Sequence, residues 1–225
     1  MTDLRGSGPL TPRYERAFSL AADIHRDQPR KGSRVAYLSH LMSVSALVLE
    51  DGGTEDEAIA ALLHDAVEDG PPTSRVAIET GFGPVVLDMV LSCTDDEPDD
   101  DGVKRPWSTR KQEYLAHLPH ASLGSLRVTA ADKLHNARCI AADLRVDDTW
   151  PKSNACVHQH LWYYASVYDA VQPRLPGSRT VTGLDRAVDE LCALVRLPRP
   201  SASPVAPSCS CPVTRSRRAS PAPSA

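Results

Sequence analysis

Aromatic residues are scarce in this sequence of 225 residues, since Phe, Trp and Tyr together make up 5%. Leu, Val and Ala must therefore fill most of the core, and a chain of this length can form one domain with a core of its own. No run of about 18 apolar residues occurs, which argues against a membrane span. The N-terminus lacks the apolar segment of a secretory signal, so we expect a cytoplasmic protein with no membrane partner.

Cysteine pairs with the spacing of a zinc site are also absent. The six cysteines are scattered, and in a chain without an export signal they are expected to be free thiols. Only Cys209 and Cys211 stand close together, in a segment rich in Pro and Ser. This composition excludes a small fold that depends on disulfides or on a cysteine-bound metal.

An excess of basic residues is missing as well. Residues 198–225 carry four arginines and no acid, so the net charge of −4 for the whole chain leaves −8 for the remainder. A nucleic-acid-binding domain would carry a basic face, so we expect no nucleic-acid partner. If the substrate is an anion, cations near the site must capture it, because the overall field repels it.

Apolar residues recur with helical spacing along most of the chain, and no alternating strand pattern of useful length occurs. The sequence predicts an all-α fold, a single helical bundle over residues 10–196, and a disordered tail rich in Pro, Ser and Arg over residues 197–225. Between two helices, residues 95–101 form an acidic stretch that we expect to be a solvated loop. The predicted helices cover approximately residues 11–26, 37–50, 54–69, 73–80, 84–92, 108–118, 123–144, 152–171 and 181–196.

Ligand-type side chains are concentrated in the segment LLHDAVEDG. Residues four apart lie on one face of a helix, so His64 is expected beside Glu68 and Asp65 beside Asp69. The neighbouring leucines and valine belong to a buried helix face, and burying several unpaired charges there is costly. The four groups therefore need a common partner, such as a bound ion.

Two further helices carry side chains of the same kind. Asp132 and Asn136 are one turn apart in LRVTAADKLHNARCI, and His40 adds an imidazole with apolar neighbours. Two imidazoles and two carboxylates suit one divalent ion, Mn²⁺, Fe²⁺ or Zn²⁺, with positions left for water. Water on such an ion becomes a nucleophile, and an acid beside it can accept its proton. The predicted metal ligands are His40, His64, Asp65 and Asp132, with Glu68 or Asp69 as the acid that accepts the proton.

The strings RKGSRVAYLSH, AALLHDAVED and ADKLHNAR, together with Phe82-Gly83, resemble the HD superfamily of metal-dependent phosphohydrolases. More narrowly, they resemble the hydrolase domain of the bifunctional alarmone synthetase/hydrolases and the small alarmone hydrolases. The resemblance spans approximately residues 14–170. It implies the same four metal ligands and the same acidic pair. It also implies substrate contacts at Arg30, Lys31 and Asn136.

The implied activity is removal of the 3′-pyrophosphate from a guanosine tetra- or pentaphosphate, usually with Mn²⁺. Two alternatives stay open: a phosphomonoesterase acting on a deoxynucleotide or on NADPH, and a non-catalytic domain that binds metal and senses a nucleotide. The sequence departs from the family pattern at Ala36 and Leu41, where the family usually has proline, in a shift of about one residue in the Arg-Lys loop, and at Cys139. These departures concern substrate recognition and leave the metal ligands intact.

Overall fold

The computed structural model describes residues 10–95, 105–147, 150, 155–201, 203 and 205–207. Within these ranges the chain forms ten α-helices and no β-strand, which confirms the predicted all-α fold. No helix in the same ranges is both long and apolar enough to span a membrane. In chain order, helices α1 to α10 are Pro12–Ile24, Leu38–Glu50, Glu55–Leu63, Ala66–Asp69, Ser74–Phe82, Pro84–Cys93, Trp107–His117, Leu123–Val146, Val157–Val171 and Arg179–Val195.

Local sequence signals begin the first and third helices. Thr11 caps α1, where its hydroxyl accepts a hydrogen bond from the backbone N–H of Arg13, and Pro12 follows at the first helical position. Thr54 and Glu57 form a capping box at α3, in which each side chain accepts a hydrogen bond from the backbone N–H of the other residue. Both helix starts agree with the sequence.

The segment that carries His64 and Asp65 is not one helix. α3 ends at Leu63 and α4 begins at Ala66, so the prediction of a continuous helix over residues 54–69 is wrong. The imidazole Nδ1 of His64 donates to the carbonyl oxygen of Ala61 at 2.9 Å. In a continuous helix that carbonyl would accept the N–H of Asp65. Consecutive side chains of a helix point about 100° apart. The break allows the side chains of His64 and Asp65 to converge instead.

Two hydrophobic cores lie on either side of α8. The aliphatic core is formed by α1 to α6, and Phe82 is the one aromatic residue buried in it among the described residues. The aromatic core is formed mainly by α7 to α10 and contains five buried Trp and Tyr side chains. α8 contributes Val128 and Ala131 to the aliphatic core and Leu126 and Leu134 to the aromatic core. The aromatic members are Tyr114, Trp150, Trp162, Tyr163 and Tyr164.

The bundle extends beyond its predicted boundary at residue 196. The indole Nε1 of Trp162 donates to the carbonyl oxygen of Ser203 at 2.9 Å, and Arg199 forms an ion pair with Asp189 at 2.6 Å. Leu197 and other described residues of this segment pack against the aromatic core. Residues 208–225 lie outside the described ranges, so for them the prediction of a disordered tail stays a prediction.

The start of the predicted acidic loop is buried rather than solvated. The carboxylate of Asp95 lies 2.5 Å from Nη1 of Arg110 and contacts the ammonium group of Lys111, and its side chain is 7% exposed. Two cations of α7 therefore attach the end of α6 to the bundle. Residues 96–101 of the acidic stretch lie outside the described ranges.

Candidate metal centre and active site

Four ligand-type side chains converge between the two cores. Nε2 of His40, on α2, lies 3.1 Å from Oδ1 of Asp132, on α8, and 3.8 Å from Oδ2 of Asp65. Nε2 of His64 lies 3.1 Å from Oδ2 of Asp65 and 3.7 Å from Oδ1 of Asp132. Ligand distances of about 2.0–2.2 Å place neighbouring ligand atoms about 3.0–3.6 Å apart. Two of the four observed separations fall in this range, and two are slightly longer. The ligand atoms of His40, His64 and Asp65 all lie within 4.8 Å of one another, so these three could hold one ion, and Asp132 lies beside both imidazoles.

The imidazole of His64 has the hydrogen bonding expected of a metal ligand. Its Nδ1–H donates to the carbonyl of Ala61, which leaves the lone pair on Nε2. Nε2 is buried and makes no hydrogen bond within the described part of the chain, although Asp65 lies 3.1 Å away. Because Nε2 faces carboxylate oxygens in a buried site, a proton or a metal ion is needed between them.

The electrostatics of the cluster also favour a cation. Burial lowers the pKa of His64, but the charges of Asp65 and Asp132 outweigh burial and raise this pKa well above its usual value. Burial raises the pKa of both carboxyls, yet His64 for Asp65 and Lys133 for Asp132 hold them below their usual range. Two ionised carboxylates in a buried site are stabilised by positive charge, and a divalent ion supplies it. The residues present thus fit a divalent metal.

Neighbouring side chains hold the two carboxylates in place. The hydroxyl of Tyr37 donates to Oδ2 of Asp65 at 2.5 Å, and the amide Nδ2 of Asn136 donates to Oδ1 of Asp132 at 2.5 Å. The ammonium group of Lys133 contacts Oδ2 of Asp132. Each carboxylate oxygen that faces the imidazoles is therefore oriented by a second partner, as around bound metals.

A cleft of about 950 Å³ lies beside this donor set, and both predicted acids line it. Asp69 is exposed and accepts a hydrogen bond from Nε2 of Gln28 at 2.8 Å. Glu68 is partly buried, and its charge interacts with the ammonium group of Lys111. Glu68 and Asp69 therefore share the cleft in different surroundings.

The predicted basic contacts lie on a short loop at the edge of the cleft. The backbone N–H of Arg30 donates to the carbonyl of Val35 at 2.7 Å, and Gly32 takes a φ of +79°, which glycine adopts without strain. The guanidinium of Arg30 donates to Oδ1 of Asn136 at 2.8 Å and lies 5.5 Å from the ring centroid of Tyr37. Lys31 is exposed and lines the same cleft.

Sequence reasoning gave no role to three residues that the structure brings to the site. Tyr37 binds Asp65, and His135 contacts His40. Lys111 is partly buried, loss of hydration lowers its pKa to about 7, and its ammonium group lies 4.8 Å from the ring centroid of Tyr163. Tyr37 and His135 stand within the motif strings, so their positions were a signal. Lys111 lies on α7, far from every motif, and only the fold reveals it.

A model of the HD domain family matches residues 17–158, which is more than half of the chain. The chain belongs to the HD domain family. Its similarity to the guanosine-3′,5′-bis(diphosphate) 3′-pyrophosphohydrolase MESH1 of Xenopus tropicalis is 38% identity over 125 residues, which cover 54% of this chain and 66% of the frog protein. The chain thus matches slightly less than two thirds of the length of that relative.

Other comparisons agree with this placement. The Drosophila melanogaster protein that carries the same name is 32% identical over 138 residues, covering 60% of this HD-domain chain and 71% of the fly protein. A solved structure described as a metazoan ortholog of SpoT that hydrolyzes ppGpp superposes with a TM-score of 0.61 and 27% identity. The superposition covers 83% of this chain and 97% of that one.

Proposed function

We propose that this HD domain is a guanosine 3′,5′-bis(diphosphate) 3′-pyrophosphohydrolase that requires one divalent ion. One observation carries the proposal: acids and cations of the kinds needed for pyrophosphate removal line a single cleft beside four metal-ligand groups. The names of the frog and fly relatives state the same reaction for those proteins. The products would be GDP and pyrophosphate from the tetraphosphate.

In this proposal His40, His64, Asp65 and Asp132 hold the ion, which would supply an activated water and stabilise charge on the phosphate oxygens. Glu68 accepts the proton of the attacking water. We assign this role to Glu68 because it is the less exposed of the two acids that line the cleft. Asp69 then holds Gln28, which begins the loop that carries Arg30 and Lys31, and so helps to position the substrate-binding side of the cleft.

The basic loop and α8 bind the substrate. Arg30 and Lys31 face the cleft, and a guanidinium pairs with two phosphate oxygens at once. Asn136 links Arg30 to Asp132, because its oxygen accepts from Arg30 while its nitrogen donates to Asp132. A phosphate held by Arg30 is thereby placed at a fixed position relative to the donor set. Holding the phosphate close to the reacting groups in this way accounts for much of the catalysis of phosphoryl transfer.

Mn²⁺ is the ion we propose, with Fe²⁺ and Zn²⁺ as competitors. Carboxylates suit Mn²⁺, and imidazoles also accept Fe²⁺ and Zn²⁺. The four donor groups include no thiolate. Activity measured after chelation and reloading with each metal, beside metal analysis of the same samples, would rank the three ions. The highest turnover with Zn²⁺ would contradict our assignment.

Product analysis tests the reaction. The purified protein, loaded with Mn²⁺, is incubated with guanosine tetraphosphate, guanosine pentaphosphate, NADPH and deoxynucleoside monophosphates, and products are separated by ion exchange. Pyrophosphate with GDP from the tetraphosphate is the expected result. Orthophosphate from NADPH or a deoxynucleotide would favour a phosphomonoesterase instead. No turnover of any compound by protein with bound metal would favour a nucleotide-sensing domain.

The proposal includes a cytoplasmic location and no nucleic-acid partner. Fractionation of cells that express the full chain tests the location, and recovery of the chain in the membrane fraction would contradict it. A gel-shift experiment at low salt tests the second statement, because electrostatic binding to nucleic acid is strongest there.

A further inference from the structure

The imidazole of His40 makes a contact unlike that of His64. Its Nδ1 lies 2.8 Å from Nδ1 of His135, and the two ring centroids are 4.9 Å apart. His40 is 1% exposed on α2, whereas His135 is partly buried on α8 and lines the cleft. A separation of 2.8 Å between two ring nitrogens is a hydrogen-bond distance, so one nitrogen carries a proton and the other a lone pair.

The donor set decides which nitrogen carries the proton. Nε2 of His40 faces the carboxylate oxygens of Asp65 and Asp132, and it must keep its lone pair if it binds an ion. The ring proton of neutral His40 then lies on Nδ1 and points at His135. His135 must accept it, which requires a bare Nδ1 and a proton on Nε2.

We propose that His135 is a positioning residue that sets the tautomer of His40, by accepting its Nδ1–H and leaving the Nε2 lone pair to the ion. This inference rests on the metal site proposed above. It adds a residue that holds a ligand and does not itself bind the ion. Groups that play this part around other metals are carboxylates, carbonyls or waters, and an imidazole is a less common choice.

The two histidine ligands thus differ in how firmly their tautomers are fixed. His64 donates to the carbonyl of Ala61, which can only accept. His40 donates to a ring that is able to donate as well, so its tautomer depends on the proton position in His135. Sγ of Cys139, one turn along α8, lies 3.8 Å from both ring nitrogens of His135 and therefore does not select one tautomer of that ring.

A matched pair of variants separates hydrogen bonding from packing. In His135→Asn the side-chain oxygen can take the position of Nδ1 and accept from His40. In His135→Gln the amide is one carbon further out and corresponds to Nε2, so the acceptor is lost. We expect Mn²⁺ affinity, measured by isothermal titration calorimetry on the full chain, to stay within a few-fold of wild type in the Asn variant. In the Gln variant we expect it to fall about 10- to 100-fold.

The absorption spectrum of bound Co²⁺ provides a second readout, because it reports ligand geometry without turnover. The Gln variant should show an altered spectrum, and the Asn variant should retain that of wild type. His117→Leu, which removes an exposed histidine of α7, is the control and should bind Mn²⁺ like wild type. Equal affinities in all proteins would overturn the inference, and so would equal weakening in Asn and Gln. A wild-type protein that binds no divalent ion would refute the metal site itself.

Discussion

The aliphatic core and the aromatic core differ in the size of their side chains, and the site lies along the boundary between them. Small and branched residues fill the aliphatic core, with Ala58, Ala60 and Ala61 fully buried on α3. Helices with small side chains at their contact approach closely. Close packing of α2, α3 and α8 brings His40, the break after Leu63 and Asp132 within contact distance.

The aromatic core forms one wall of the cleft. Trp150 and Tyr164 are buried in that core and also line the cleft, and the ring of His160 lies between Trp107 and Trp150 at centroid distances of 5.2 and 5.6 Å. Large rigid side chains keep a cleft open because they cannot collapse into it. Metal binding and the shape of the cleft therefore depend on different parts of the fold, so a mutation can alter one and leave the other unchanged.

The largest expected effect comes from Asp65→Ala at the edge of the aliphatic core. Removal of this ligand is expected to abolish Mn²⁺ binding and to reduce hydrolysis to the background rate. Calorimetric titration with Mn²⁺ and product analysis of the same preparation measure both quantities, while circular dichroism checks that the helices persist. Turnover that continues in verified metal-free variant protein would contradict the proposed mechanism.

A large effect of another kind is expected from Glu68→Gln. The side chain keeps its size but no longer accepts a proton, so kcat should fall about 10²- to 10⁴-fold while Mn²⁺ affinity stays unchanged. Asp69→Asn is the matched control, because Asp69 is the more exposed acid of the cleft, and its kcat should fall less. Equal losses in both variants would remove the distinction that we draw between the two acids.

Core truncations compare the two halves directly. Trp162→Ala should destabilise the fold by about 3–5 kcal/mol and Leu41→Ala by about 2–5 kcal/mol, since both side chains are fully buried. Leu41 adjoins His40 in α2, so only its truncation should also weaken Mn²⁺ binding. Urea unfolding and calorimetry of both variants check this. Equal changes in Mn²⁺ affinity would show that the aromatic core supports the donor set as well.

The smallest effect concerns pH and the aromatic core. Burial is the main reason that the pKa of His160 is lowered to about 4. The charges of Lys111 and Lys31 also lower this pKa, and the hydrogen bond to the carbonyl of Cys156 opposes them. The unfolded chain, with a histidine pKa of about 6.5, therefore binds more protons than the folded one between these values. The free energy of unfolding should fall as pH decreases from about 6.5 to about 4, and less steeply in His160→Gln. Urea titrations at several pH values measure both slopes, and parallel slopes would contradict the assignment.

Most helices could be predicted because their signals are local. Thr11 with Pro12 and the pair Thr54 and Glu57 mark helix starts through caps that depend on neighbouring residues alone. The break after Leu63 could not be predicted, because the imidazole of His64 that bonds the carbonyl of Ala61 also faces Asp132, a residue of α8 that is distant in sequence. A regular apolar pattern across residues 58–67 concealed it.

The site was predictable as a set of residue types but not as an arrangement. The strings around His40, His64 and Asp132 indicated which side chains belong together, and the structure brings these donor atoms close. The contacts of Lys111, Tyr37 and His135 depend on packing between helices that are distant in sequence. Burial of Asp95 was missed for the same reason, since its two cationic partners stand on the following helix.

The break between α3 and α4 couples the stability of the fold to the occupancy of the site. Asp65, at the break, accepts a hydrogen bond from Tyr37 and lies 3.1 Å from Nε2 of His64, which holds the pKa of its carboxyl below the usual range. Removing one partner of such a pair leaves the other unpaired, so Asp65→Ala should lower the free energy of unfolding even in the absence of metal. The parent chain should gain further stability as Mn²⁺ is added, because an ion that binds only the folded state stabilises it, and the variant should not.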